Sequence, residues 1–310
     1  MQSPYAIAVD LGATNSRVAL VDQRGKIIKK LRRPTPREGA RGTVITAALT
    51  EMIQKLMTTV PPDTHFQGIG ISSIGPLDYK KGGPRNSPNI PFSFVPLVPP
   101  LKAQFSLPVL LLNDANAGVL AEHHFGAGKR IKNLVYVTLS TGIGGGAIVD
   151  GKLLFGRGGN AAEVGHLIVD TTYNLPCACA KGIGHWEAYA SGRTIPRFFS
   201  EWTRAHKEKI EFNARDAETI FKKANEGNAM ARAFLDELGR VNGRAVSDLI
   251  VAYDPELITF GGSVALHNSN VIIHGIKKYA EHYLARPAIT ITSLGEDITL
   301  LGAAAAVFQK

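Results

Sequence analysis

Apolar residues along the chain fall into short runs broken by turn residues and into longer stripes at helical spacing. Residues 6–11 form a mostly apolar run, Gly12-Ala13-Thr14-Asn15 interrupts it, and 18–21 resume it before Asp22-Gln23-Arg24-Gly25. This predicts two strands of a hairpin and then a third strand beyond the second turn. Over residues 44–60 the apolar positions Ile45, Leu49, Met52, Ile53, Leu56 and Met57 recur with a helical period. Residues 68–74 read as a strand. Residues 76–108, with eight of the seventeen prolines, read as a long irregular segment of the kind that carries function. An apolar strand over 109–112 runs into Asn113-Asp114, and 115–125 reads as a helix.

The pattern then restarts. An apolar strand over 134–139 leads into Ser140-Thr141-Gly142-Ile143-Gly144-Gly145-Gly146 and a strand over 147–149 closed by Asp150-Gly151. A shift of 128 residues lays Ala19-Leu20-Val21-Asp22 over Ala147-Ile148-Val149-Asp150 and one glycine turn over the other. Such an internal repeat predicts two related α/β lobes with a cleft between their facing turns. Helices are expected over 186–206, 214–224, 229–252, from 271, and over 298–308, with a strand over 257–260. The expected division is a small lobe of residues 1–113 completed by 296–310, and a large lobe of 114–295.

Composition narrows the class. The chain has 310 residues, 45% hydrophobic and 20% charged, so a folded protein with a real core is expected. No apolar run approaches the ~18–20 residues of a membrane-spanning helix, and the basic-then-apolar layout of a signal peptide is missing, which predicts a cytoplasmic protein without membrane partners. The two cysteines, Cys177 and Cys179, exclude a disulfide framework and leave a metal or redox role open. Of the net charge of +9, residues 24–41 carry +7. No nucleic-acid motif or interleaved aromatics accompany these bases, so a solvated basic strand edge, with no nucleic-acid partner, is the expected reading.

The run Gly142-Ile143-Gly144-Gly145-Gly146-Ala147 has the spacing of a dinucleotide fingerprint, but it leads into a strand where the fingerprint must open a helix. A tight hairpin whose bare backbone N–H groups approach phosphate oxygens fits better. Asp10-Leu11-Gly12-Ala13-Thr14 together with Ser140–Gly146 resembles the paired phosphate signature of the actin-like sugar kinase and ATPase superfamily. Asn113-Asp114-Ala115-Asn116-Ala117, Phe125-Gly126-Ala127-Gly128 and Gly159-Asn160-Ala161-Ala162-Glu163-Val164-Gly165-His166 narrow the resemblance, over the whole chain, to the ROK family of repressors, open reading frames and sugar kinases.

The resemblance implies a two-lobed actin-like ATPase (ribonuclease H-like) fold with a duplicated βββαβαβα core. It implies an ATP-dependent kinase that moves the γ-phosphoryl group to the 6-hydroxyl of glucose, in carbohydrate metabolism and glycolysis, as a homo-oligomer, dimer or tetramer. Asp114 maps to the base that accepts the hydroxyl proton; on its residues alone, Asn-Asp could equally be a helix cap. Asn89, Asn113, Asp114, Glu163, His166 and Glu187 map to sugar contacts, as carboxylates suit a ligand rich in O–H donors. Asp10, Gly12, Thr14, Asn15, Thr141, Gly142, Gly261 and Gly262 map to the nucleotide side, Asp10 on the Mg²⁺ that accompanies ATP.

The family's zinc loop usually reads C-x-C-G-x-x-G-C-x-E after a histidine. Here Cys177-Ala178-Cys179-Ala180 continues to His185-Trp186-Glu187, with Ala180 at a usual glycine and His185 in place of the third cysteine after one extra residue. His166, Cys177, Cys179 and His185 are the expected ligands of a structural zinc; the alternative is a metal-free loop held by Trp186. The sugar itself stays open between glucose and N-acetylmannosamine or another hexose. Family repressors carry a helix-turn-helix ahead of the kinase fold, and with a first strand by Ala6 none is expected here. A non-catalytic sugar sensor is the remaining alternative.

Overall fold

The computed structural model describes residues 4–283 and 285–309. Its strands are β1 (Tyr5–Leu11), β2 (Asn15–Asp22), β3 (Ile27–Pro34), β4 (Phe66–Ser73), β5 (Leu77–Asp78), β6 (Gly83–Pro84), β7 (Val109–Asn113), β8 (Leu134–Leu139), β9 (Ile143–Val149), β10 (Lys152–Leu153), β11 (Leu257–Gly261) and β12 (Ala288–Ile291). The helices are α1 (Thr43–Met57), α2 (Val98–Phe105), α3 (Asp114–His124), α4 (Glu187–Ala190), α5 (Ile195–Ala205), α6 (Ala217–Asn225), α7 (Ala229–Tyr253), α8 (Ser263–His267), α9 (Ser269–Tyr279) and α10 (Ile298–Phe308). None of the described helices is long and apolar enough to cross a membrane.

The chain divides into two compact units, one comprising the residues up to Arg130, Phe155–Ala161 and those from Asp297 on, the other Ile131–Leu154 and Ala162–Glu296. In the first unit the sheet order is β3-β2-β1-β4-β7, with antiparallel pairing among β1, β2 and β3 and parallel pairing of β4 with β1 and β7. Its core is aliphatic, built from Ile7, Val9, Val18 and Leu20 of the hairpin, Ile45, Leu49 and Ile53 of α1, and Ile69 and Ile71 of β4. The unit runs past the expected boundary at residue 113, because α3 packs on α10. Both helices are rich in small residues, and a Cβ on Gly302 would lie 1.7 Å from the Ala117 carbonyl oxygen, so only glycine permits this approach.

β3 is an edge strand, with Lys29, Lys30 and Arg32 exposed. Two of its bases are paired, Lys30 with Asp297 at 2.7 Å and Arg33 with Glu51 at 3.0 Å. An edge lined with cations resists pairing with another strand.

The second unit repeats the order as β10-β9-β8-β11-β12, with the same parallel and antiparallel relations. The repeat is close but not perfect. The turn joining Leu11 to its partner Ser16 is one residue longer than that joining Leu139 to Ile143. The core here is aromatic, with Trp186, Tyr189, Phe198, Phe199, Phe234 and Phe260 fully buried and Phe198 edge-to-face with Tyr189 and Phe234 at 5.0 and 5.2 Å. Several elements differ from expectation, the short β5, β6 and α8 among them. β12 was not foreseen, α2 lies inside the proline-rich stretch, and the helix expected over 186–206 breaks at Ser191–Thr194 into α4 and α5.

Candidate active site

In the first unit the β1–β2 turn presents Asp10, Gly12, Thr14 and Asn15. Asp10, the second-last residue of β1, lies opposite Arg17 in the hairpin register. Arg17 Nε donates to Asp10 Oδ2 at 2.9 Å, Nη1 to Asp297 Oδ1 at 3.1 Å, and Nη2 to Thr299 Oγ1 at 3.0 Å. The carboxylate is thereby held by a guanidinium that is itself fixed to the start of α10. Below the turn, Thr35 Oγ1 donates to the Gly12 carbonyl at 2.8 Å, while Thr14 is exposed. Asn89, on the irregular segment, is also exposed. Its carbonyl accepts from Arg37 Nη1 at 3.1 Å, and the same nitrogen lies 3.4 Å from the Ala13 carbonyl, so one arginine ties the turn to the Asn89 loop.

β7 ends at Asn113, which is buried and caps α3 by accepting the Asn116 N–H at 2.7 Å. Asp114 is the first helical residue, half-buried, and its Oδ1 accepts the Ala115 N–H at 2.9 Å. The cap reading and the active-residue reading of Asn113-Asp114 are thus compatible: Asn113 makes the cap bond and Asp114 sits at the carboxyl end of a parallel strand, where α/β ligands bind.

In the second unit Thr141 and Gly142 form the β8–β9 turn, closed by the Ser140 N–H donating to the Gly142 carbonyl at 2.9 Å. Gly261 ends β11, and Gly262 precedes α8 with φ +84° and no room for a Cβ, which would lie 2.4 Å from the Leu139 carbonyl. The β8 end and the β11 end therefore approach closely, and Ser140 Oγ lies 3.3 Å from Ser263 Oγ across the junction. Glu187 opens α4, and its Oε2 accepts the Ile143 N–H at 2.8 Å.

His166, Cys177, Cys179 and His185 converge, with one donor atom from each lying within 4.8 Å of the others. His166 Nδ1 is 3.2 Å from His185 Nδ1, Cys177 Sγ is 3.8 Å from His166 Nδ1, and Cys179 Sγ is 3.7 Å from His185 Nδ1. A tetrahedral zinc with ordinary Zn–S and Zn–N bonds has edges of about 3.3 Å between nitrogens and about 3.6 Å between sulfur and nitrogen. The donor set fits that ion in chemistry and in size. His166 faces the cluster through Nδ1, which leaves Nε2 for another partner.

Protonation follows the surroundings. Burial pushes the Cys177 thiol up to about 11, against the opposing hydrogen bond from the Cys179 backbone. Burial and the adjacent His166 hold His185 below the usual histidine range, with Glu187 opposing. Glu163 is open to solvent by area but crowded by protein, and this desolvation raises its carboxyl; Glu187 adds to the rise and His166 opposes it. A cation entering the cluster must displace the thiol protons.

Buried hydrogen bonds hold this loop in place, and Asp170, Tyr189 and Asn242 carried no sequence signal for that role. Buried Asp170 accepts the Tyr189 hydroxyl at 2.7 Å and the backbone N–H groups of Tyr173 and Thr172 at 2.9 and 3.1 Å. The Tyr189 hydroxyl in turn accepts the Leu175 N–H at 2.9 Å, two residues before Cys177. Burial and Asp170 raise the Tyr189 phenol above its ordinary range, so it remains a donor. Trp186 Nε1 donates to Asn242 Oδ1 of α7 at 2.8 Å, anchoring the loop's far end. Ala180 has φ +57°, which explains why glycine suits that position in the family loop.

The ROK family model matches residues 6–310. A glucokinase of Pyrobaculum calidifontis is 37% identical over 309 residues, which cover 98% of this chain and 95% of that protein. The crystal structure of a ROK hexokinase from Thermus thermophilus is similar with a TM-score of 0.81 at 32% identity, over 98% of both chains. A ROK family glucokinase from Streptomyces griseus, solved in complex with glucose and AMPPNP, matches with a TM-score of 0.76 at 28% identity, over 99% of this chain and 100% of that one.

Proposed function

Since the chain belongs to the ROK family and has its actin-like ATPase fold, we propose that it is an ATP-dependent glucokinase that transfers the γ-phosphoryl group to the sugar's 6-hydroxyl. The observation that carries the reading is the polar end of β7, where Asn113 makes the cap bond and Asp114 follows it at the helix start. Asp114 is the general base for the 6-hydroxyl proton. Asn89, Asn113, Glu163, Glu187 and His166 Nε2 orient the remaining hydroxyls, the carboxylates as acceptors and the Asn113 NH₂ as a donor. Phosphoryl transfer asks the protein chiefly to position the reactants and to offset phosphate charge.

The two glycine turns, Gly12–Asn15 and Thr141–Gly142, offer backbone N–H groups to phosphate oxygens, and Gly261-Gly262 lies on the adenosine side. Asp10 supplies a hard oxygen toward the Mg²⁺ that accompanies the nucleotide, which neutralises charge on the phosphates when bound. Arg17 holds that oxygen in one orientation. A zinc ion at His166, Cys177, Cys179 and His185 belongs to the same reading; bound there, it cross-links the loop that leads into Glu187. A cytoplasmic location and a homo-oligomeric assembly complete it.

The test is a coupled assay of nucleotide consumption over a hexose panel. Glucose should give the highest kcat/KM, mannose should follow, and N-acetylmannosamine should be weakest. A pocket closed around a C2 hydroxyl excludes an acetamide by clash more readily than it rejects an epimer. No turnover with any hexose would overturn the kinase reading in favour of a sensor, and a lead for N-acetylmannosamine would overturn the choice of sugar alone.

A further inference from the structure

The segment that bears Glu187 grips the β8–β9 turn at both of its ends. At one end Glu187 Oε2 accepts the Ile143 N–H at 2.8 Å. At the other, the Gly192 N–H, just past α4, donates to the Ser140 carbonyl at 2.7 Å. Thr194 Oγ1 closes the span by donating to the Glu187 carbonyl at 2.6 Å. This explains the break between α4 and α5, because a continuous helix would spend the Gly192 N–H on its own backbone. Within the turn, a Cβ on Gly142 would lie 2.6 Å from Glu187 Oε2, so the carboxylate occupies the space that the glycine leaves.

From this clamp we infer that Glu187 is a positioning residue for the phosphate turn as well as a sugar ligand, so that sugar and nucleotide affinities are coupled through one carboxylate. The inference rests on the proposed function. A carboxylate has about four acceptor sites, enough to take a sugar hydroxyl on one oxygen and a backbone N–H on the other. A sugar that fixes the Glu187 side chain also fixes the Ile143 N–H and with it the set of the Thr141–Gly142 amides. Coupling between binding sites is reciprocal, so a nucleotide that orders the turn must tighten the sugar by the same factor.

The experiment is calorimetry on the full chain with each ligand alone and with both. For the wild type, glucose should tighten Mg-AMPPNP by ~5-fold or more, the lower range of ordinary couplings. Glu187→Ala should weaken Mg-AMPPNP several-fold with no sugar present, and Glu187→Gln, which keeps an oxygen to accept the Ile143 N–H, should restore it. Gly142→Ala should weaken glucose with no nucleotide present. Nucleotide affinity unaltered in Glu187→Ala, or glucose affinity unaltered in Gly142→Ala, would overturn the inference. The Glu187→Ala arm uses nucleotide alone and decides the link whichever sugar the enzyme takes, whereas absence of hexose binding by the wild type would count against the proposed function itself.

Discussion

Replacing Tyr189 by phenylalanine removes one oxygen from the aromatic core and leaves the ring in place. That oxygen donates to Asp170 at 2.7 Å and accepts from the Leu175 N–H at 2.9 Å, and all three residues are buried. A hydrogen bond to a charged partner contributes about 1.5–3 kcal/mol, and a buried N–H left without an acceptor costs about 1–3 kcal/mol. Asp170 retains its bonds from Thr172 and Tyr173, which offsets part of the loss, so the net cost should be about 2–4 kcal/mol. For a unit of this size that lowers Tm by about 5–15 °C. Thermal melts by circular dichroism measure it, with Tyr283→Phe, at a side chain 88% exposed, as a control that should not shift. Because Leu175 lies two residues from Cys177, the variant should also bind zinc more weakly in a chelator competition. A Tm within about 2 °C of wild type would refute the reasoning, since the two buried groups would then have found other partners.

Four further outcomes follow from the same geometry. Asp114→Asn should lower kcat by ~10²-fold or more with little change in sugar affinity by calorimetry. Elemental analysis of untagged protein should give about one zinc per chain, and chelation should lower Tm. Ala180→Gly relieves the left-handed backbone and should stabilise by about 1 kcal/mol in denaturant titration. Glu163→Gln, in metal-depleted protein, should be more stable than wild type at neutral pH. With the Glu163 carboxyl raised in the folded state, wild type gains on the variant as pH falls through that raised value, and the gain is complete below the ordinary 4.5, as Tm against pH will show.

The strands were legible because their periods are short and their boundaries are glycines. The duplication was legible because Ala19–Asp22 and Ala147–Asp150 keep the same apolar pattern on equivalent strands. β12 escaped because Ala288-Ile289-Thr290-Ile291 is short and half exposed, with little contrast to the loop around it. α2 escaped because its prolines, allowed in a first turn, read as loop when taken alone. Within the site, the histidine and cysteine cluster was legible through its resemblance to the family's zinc loop, since the two cysteines alone left a metal or redox role open. Its supports were not: Asp170 and Tyr189 stand 19 residues apart, and Trp186 finds Asn242 56 residues away, so no local pattern pairs them. Arg17 could have been found, since a hairpin built on the Gly12–Asn15 turn places it across from Asp10.

The packing of α10 has a consequence for how the chain is made. Gly302 lies against Ala117 of α3, and a Cβ on Gly70 of β4 would lie 1.8 Å from the Ala303 carbonyl, so this helix fills a slot bounded by elements synthesised some two hundred residues before it. Domains fold largely as units during synthesis, in order of emergence. The first unit departs from that order. Its sheet leaves the ribosome early with the apolar slot open, the second unit has its core sequence available sooner after synthesis, and the first closes only when residues 298–308 arrive. Until then the slot between α3 and β4 stays uncovered.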